Sequence, residues 1–594
     1  MIRLFTTLRV LFIGLLAAWL FPLTAGWAAP AILPINELQA GMHGIGKTVV
    51  QGTKIEDFDV EILGIMKGKG AAGGDLILVR TSGDVINRTG GIAQGMSGSP
   101  VYIGGKLIGA IAYGWSLADH RVGMVTPIAD MLKNLDITKP SVELIPPTEP
   151  DIKDEKLENA KPLTTPLMVS GYNSQTLQYL QTQLEPFHLV PFEVGDVPAG
   201  TQYGAIEPGS SIGVELVRGD VNIGALGTVT YVDGDKFVAF GHPFLQKGFV
   251  DFLATNAYIY TTVSSLDSPF KVGTTGDLVG TINQDRGTGI AGQLHQYPYI
   301  IPFRVSVTDQ DLQRTVESDY QVVRDEALAP ILGATGVYNT IQKAMDRDGG
   351  GTAKVSFEIT GRGLPDEGVK RENLFYTPAK LSEISVAELH EALDMLTNNR
   401  FNPVDLFDVK VNVTVESARK TATLMSAKVA SNAVVKPGDS VNIDVTLKPY
   451  RGASIVRTIS YVVPKNQSTG SLMLEVRGGG MVPLTQMLLK RQGIDMDMLK
   501  PDKKLRSFSD QIDDFVHRDR NNDLVVEVLD TGAESGDTTA PSSTTAKNNH
   551  QQANLAQTAV MDQKLIGNDK KDKTSLATDY VIDGDAQVVL NVSK

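Results

Sequence analysis

Apolar and polar positions alternate through most of this chain, predicting many short strands joined by tight turns. Phe58, Val60 and Ile62 alternate with Asp59 and Glu61, the period-2 signature of a half-buried strand, and Asp75 to Val79 reads as a more buried one. Val101 to Ile103 and Leu107 to Ala112 flank Gly104-Gly105, a two-residue hairpin turn. A second hairpin joins Thr228–Val232 to Lys236–Phe240 through Asp233-Gly234 and runs straight into Gly241-His242-Pro243-Phe244. Helical spacing appears around Gln175 to Gln183, from Asp325 to Arg347, from Ile384 to Asn398 and around Phe508 to His517. The cleanest alternation is Val409, Val411, Val413 and Val415, repeated by Val441, Ile443, Val445 and Leu447. With Thr458 to Val463 and Leu472 to Val476 it predicts an immunoglobulin-like β-sandwich.

These elements divide the 594 residues into several regions. Residues 1–28 read as an export signal: Arg3 and Arg9 precede an apolar stretch, and Gly26-Trp27-Ala28 supplies small residues at a cleavage point. Left uncleaved, the same stretch would serve as an N-terminal membrane anchor. The expected order is then a β unit over 29–138, a proline-rich linker over 139–165, and a second β unit over 166–310. A helical connecting region over 311–400 and the sandwich over 401–480 follow. A mixed segment over 481–530, a disordered polar stretch over 531–578 and a final strand within 579–594 complete the chain.

Composition narrows the chemistry. A net charge of −13 argues against a nucleic-acid partner, which would require a basic surface. Cysteine is absent, which excludes thiol catalysis, thiolate metal sites and iron–sulfur clusters. No histidine pair or carboxylate loop has metal-ligand spacing. Two Gly-x-Gly-x-x-Gly matches, Gly68 to Gly73 and Gly287 to Gly292, lack the strand–turn–helix setting of a dinucleotide site and read as turns. No cofactor is expected.

The richest motif is Gly95-Met96-Ser97-Gly98-Ser99-Pro100, set between strand-like runs. A serine flanked by glycines on a tight turn is what an acyl-transfer nucleophile needs: small neighbours admit a scissile carbonyl, and backbone N–H groups can face the oxyanion. Ser99 is the competing nucleophile, but Pro100 beside it suits a structural turn. A serine hydroxyl needs a base. Of eight histidines, His242 stands apart, because a hairpin delivers it to a strand end between Gly241 and Pro243.

The run from Arg88 to Ile111, with Thr89-Gly90-Gly91 ahead of the hexapeptide, resembles the nucleophile region of the SpoIVB peptidases, sporulation-signalling serine peptidases and their relatives in the chymotrypsin-like clan. The stretch from Gly224 to His242 resembles that family's histidine region. The resemblance covers two blocks within residues 32–310. It implies a mainly β, chymotrypsin-like double barrel with Ser97 as nucleophile, His242 as general base and the Gly95 and Ser97 amides as oxyanion donors. The chain departs from the family in three ways. Serine precedes histidine, an order that a circular permutation of the two β units would give. The family's acid falls at Ser82; Asp84 is the expected substitute with Asp75 behind it, and orientation by a serine, by a backbone carbonyl or by nothing also stays open. No PDZ segment precedes the catalytic blocks.

The expectation is an exported serine endopeptidase, periplasmic or extracellular, that acts on a protein or peptide substrate and can process itself. Its C-terminal domains would position substrate or attach an envelope protein partner. The rival reading is a non-catalytic envelope protein that keeps the peptidase fold as a binding scaffold.

Overall fold

The Gly104-Gly105 turn closes as expected. Both residues adopt positive φ, at 56° and 79°, which matches the right-handed twist of the strands they join. The computed structural model describes residues 30–137, 160–162, 166–345, 347, 349–430, 434–482, 507–529 and 573–593. The export signal, the linker apart from residues 160–162 and most of the polar stretch 531–578 lie outside the described residues. Two units are distinguished: one comprises residues up to 171, 184–216 and 222–299, the other 172–183, 217–221 and 300 onward.

In the first unit, β1 (His43–Val49), β2 (Ile55–Met66), β3 (Leu76–Ser82), β4 (Pro100–Ile103), β5 (Lys106–Trp115) and β6 (Val122–Pro127) form a ring in the order β4-β1-β2-β3-β6-β5. Pairing of β4 with β5 closes it. Val60, Ile62, Ile77, Val79, Val101, Ile111 and Val125 fill its interior. Burial of each such side chain contributes roughly 1.5–3 kcal/mol. A short helix, α1 (Asp84–Thr89), leads from β3 toward the serine turn. The strand β7 (Ala160–Pro162) adds antiparallel to the end of β5 at Tyr113–Trp115.

The same unit holds β8 (Leu167–Ser170), β9 (Pro191–Glu193), β10 (Ser211–Gly219), β11 (Asn222–Asp233), β12 (Lys236–Ala239), β13 (Gly248–Val263), β14 (Phe270–Arg286) and β15 (Gly289–Leu294). The order β10-β13-β14-β15-β12-β11 returns on itself through a β10–β11 pairing, with β8 and β9 beyond β11. The fold is therefore mainly β, and this unit is a chymotrypsin-like double barrel. Both Gly-x-Gly-x-x-Gly matches fall at antiparallel strands: Gly287 lies in the β14–β15 turn and Gly68 to Gly73 lead into β3.

In the second unit, Ile300–Asp309, Arg314–Val323, Gly351–Arg362, Val369–Thr377 and Asp405–Glu416 form one sheet, with the buried helix Leu328–Met345 packed on it. Asp405–Glu416, expected in the sandwich, runs parallel to Ile300–Asp309 and antiparallel to Gly351–Arg362 instead. Alternation fixes which face of a strand is buried, not which strand it joins.

The sandwich is built from two other sheets. One is Ile455–Val462, Ser440–Pro449, Thr421–Val429 and Val581–Asp583; the other is Val434–Val435, Asp585–Val592, Gly470–Gly478, Asp523–Val528 and Lys573–Ala577. The segments read separately as mixed and C-terminal thus complete its core, where Leu524, Val526, Ile582, Val588, Leu590 and Val592 are buried. Deleting residues 579–594 should remove on the order of 5 kcal/mol or more of buried apolar contact. Limited trypsin digestion is then expected to cut within 421–478 in the truncated chain and not in the full one.

Candidate active site

The serine turn is shaped by backbone hydrogen bonds from residues 96, 98 and 99. Met96 N–H donates to the Ala93 carbonyl at 2.9 Å, Gly98 N–H to Ile111 at 2.8 Å and Ser99 N–H to Met96 at 2.9 Å. Among the described residues neither the Gly95 nor the Ser97 N–H donates to another protein group. These are the two amides that the oxyanion assignment requires.

The second barrel clamps this turn from behind. Thr228 N–H donates to the Ser97 carbonyl at 2.8 Å, Thr228 Oγ1 to the Gly95 carbonyl at 3.0 Å and Thr230 Oγ1 to the Gly98 carbonyl at 2.8 Å. Gly98 has φ +93°, and a Cβ placed on it would lie 1.9 Å from the Thr228 carbonyl oxygen. No side chain fits there.

His242 arrives from the end of β12. Phe240 takes φ +68°, a left-handed conformation that costs on the order of 1 kcal/mol for a non-glycine residue, and its fully buried ring holds it there. Thr126 Oγ1 donates to the Gly241 carbonyl at 2.6 Å, fixing the turn to β6. The result is a contact of 2.8 Å between His242 Nε2 and Ser97 Oγ. On the other side of the ring, Nδ1 lies 2.7 Å from the Pro243 carbonyl oxygen. A carbonyl only accepts, so Nδ1 carries the proton and Nε2 is left to accept from the serine hydroxyl. That is the tautomer of a general base. The Phe240 and Tyr113 rings tilt against the imidazole at centroid distances of 5.9 and 6.4 Å. Burial pushes the Tyr113 phenol up to about 12 and keeps it neutral.

The site is shut from solvent, with Ser97 0 % and His242 2 % exposed. Ser99 is also buried, and its Oγ has no hydrogen-bond partner, so no base reaches it. Among the described residues no group of three or more His, Cys, Asp or Glu side chains is placed to hold a metal.

Asp84 is not brought to His242. It lies in the first turn of α1, where an acid favours the helix dipole, its side chain is 85 % exposed, and Arg88 Nε donates to it at 2.9 Å. Asp75 is paired with Lys67 at 2.8 Å and accepts the Gly68 N–H, which hold its carboxyl below the usual range. Ser82, at the family's acid position, is exposed at the end of β3. The observed partner of Nδ1 is the backbone carbonyl, one of the alternatives left open above.

Sequence reasoning missed Lys271. Its ammonium is buried behind the serine turn, with Nζ donating to Thr48 Oγ1 at 3.0 Å and facing Thr228 Oγ1 at 3.5 Å. Its backbone N–H donates to the Gln94 carbonyl at 2.9 Å, and its stem fills the space a Gly95 side chain would occupy. A lysine within a strand reads as solvent-facing, so spacing carried no signal. Burial pulls its pKa from 10.5 down to about 7. The unfolded chain therefore binds the proton between these values while the folded chain does not, and stability rises as pH rises through that window. Relative to Lys271→Met, the wild type should gain on the order of 1.4 kcal/mol of stability for each pH step of one across that window. Denaturant midpoints measured through the same range check this; a flat difference would contradict a buried, depressed lysine.

No curated protein and no solved structure matches the chain. The family model described as SpoIVB peptidase S55 matches residues 31–132, which include the whole first barrel and Ser97 and end short of His242. The resemblance read from the serine motif is therefore supported: over this stretch the chain is similar to the SpoIVB peptidases.

Proposed function

We propose that this chain is an exported serine endopeptidase that cleaves peptide bonds through an acyl-enzyme on Ser97. The observation that carries the reading is the 2.8 Å contact between Ser97 Oγ and His242 Nε2, in a tautomer fixed by the Pro243 carbonyl. In the reaction His242 takes the Ser97 proton as the hydroxyl attacks the scissile carbonyl, then gives it to the leaving amine. The Gly95 and Ser97 amides hold the oxyanion, and water deacylates the serine by the same base. The charged, then apolar, N-terminal stretch supports export. Because the dyad is buried, a peptide reaches Ser97 only after the covering groups move.

That burial also favours a second reading, a binding scaffold that keeps the fold without turnover. The two are separated by fluorophosphonate labelling with peptide mapping of the adduct. An active enzyme is expected to carry one adduct, on Ser97. Ser97→Ala should carry none, and His242→Ala should label about 10⁴-fold more slowly. A folded wild-type chain that takes no adduct would favour the scaffold.

A further inference from the structure

A buried carboxylate lies one peptide group away from the serine–histidine pair, in the same barrel. Asp285, at the end of β14, is completely buried. Its Oδ1 accepts the Phe244 N–H at 2.8 Å, and its Oδ2 accepts the Leu245 N–H at 2.7 Å and the Lys247 N–H at 3.4 Å. Burial raises its pKa, and the amides of residues 244 to 247 work against that rise. Both oxygens accept from amides, the pattern of an ionised carboxylate. Phe244 N–H belongs to the same peptide group as the Pro243 carbonyl, which is the group that accepts from His242 Nδ1.

We propose that Asp285 is the orienting acid of this site, acting on His242 through the Pro243–Phe244 peptide group. The inference rests on the reading of Ser97 and His242 as nucleophile and base. The peptide is planar and conjugated, so an anion on its N–H side raises the electron density on its carbonyl oxygen. That oxygen becomes a better acceptor for Nδ1–H and stabilises the imidazolium formed when Ser97 gives up its proton. No proton crosses the peptide: the Nδ1 proton stays on the ring and Asp285 stays ionised. The other amides on Asp285 fix the turn after His242, so the carboxylate sets the position of the ring as well as its charge environment. The adjacent cation is engaged elsewhere. Arg286 stacks over Phe249 at 4.9 Å and donates to Gln284, while the Asp285 backbone pairs with Gly248 and Ile290. On its other sides the imidazole meets the Ser97 hydroxyl and the ring of Tyr113, whose phenol is neutral. Asp285 is thus a positioning residue.

The test is the pH dependence of fluorophosphonate labelling of Ser97 in the full chain, with folding followed by circular dichroism. Asp285→Asn should lower the plateau rate about 10- to 100-fold and shift the acid-limb inflection to lower pH, because the imidazolium loses its anion. A merely structural role would lower the plateau without moving the inflection, and that result overturns the proposal, as does a folded variant with wild-type rate and inflection. If Asp285→Asn does not fold, replacing the Phe244 amide by an ester, through phenyllactic acid at position 244, breaks the relay alone. The ester removes the N–H and weakens the Pro243 carbonyl as an acceptor, so the same slowing and shift are expected, and an unchanged profile overturns the proposal. Absence of labelling in folded wild type instead overturns the peptidase reading, and this role with it.

Discussion

The distance between the serine and the histidine is set by backbone geometry rather than by the two side chains. Ser97 lies in a turn whose carbonyls at residues 95, 97 and 98 are all held by Thr228 or Thr230, and Gly98 is pressed against the Thr228 carbonyl with no room for a Cβ. Thr228 and Thr230 belong to the strand that continues, through one hairpin, into the turn bearing His242. One β-ribbon therefore grips the serine turn and delivers the histidine. Once Gly98 seats on this ribbon, little freedom is left in the Ser97–His242 contact.

The ribbon also sets the histidine's tautomer through a backbone group. An imidazole needs a fixed tautomer and a fixed ring plane before it can act as a base, and a carbonyl supplies both by accepting from Nδ1. Phe240, held in a left-handed conformation, aims the following peptide groups so that the Pro243 carbonyl meets the ring.

Much of this is legible in the sequence, for identifiable reasons. Gly104-Gly105 announces its hairpin because few other residues adopt that turn, and the glycine-flanked serine announces its own. The Asp233-Gly234 reading finds the second hairpin but sits one residue early: Asp233 pairs with Lys236, and the turn is Gly234-Asp235. His242 is legible because a hairpin ends on it. Asp84 stands close to the family's acid position, yet the helix that begins there carries it into solvent beside Arg88. Asp285 leaves no such trace, since it binds main-chain amides, which every residue between 244 and 247 possesses whatever its side chain. Lys271 is hidden by the general rule that lysines face water. In the sandwich, alternation marks the strands but gives no partners, so it groups Asp405–Glu416 with the wrong sheet and Asp585–Val592 with none.

The assembly of that sandwich has a consequence for the timing of synthesis. Gly470–Gly478 lies between Asp585–Val592 and Asp523–Val528, so a strand made early must wait beside an open edge until a segment more than a hundred residues later has been translated. The double barrel has no such dependence, since all its strands end by Leu294. As the chain emerges in order from its N-terminus, the barrels can close while the sandwich still presents an unpaired edge, the point at which a chaperone or a second emerging chain would find it.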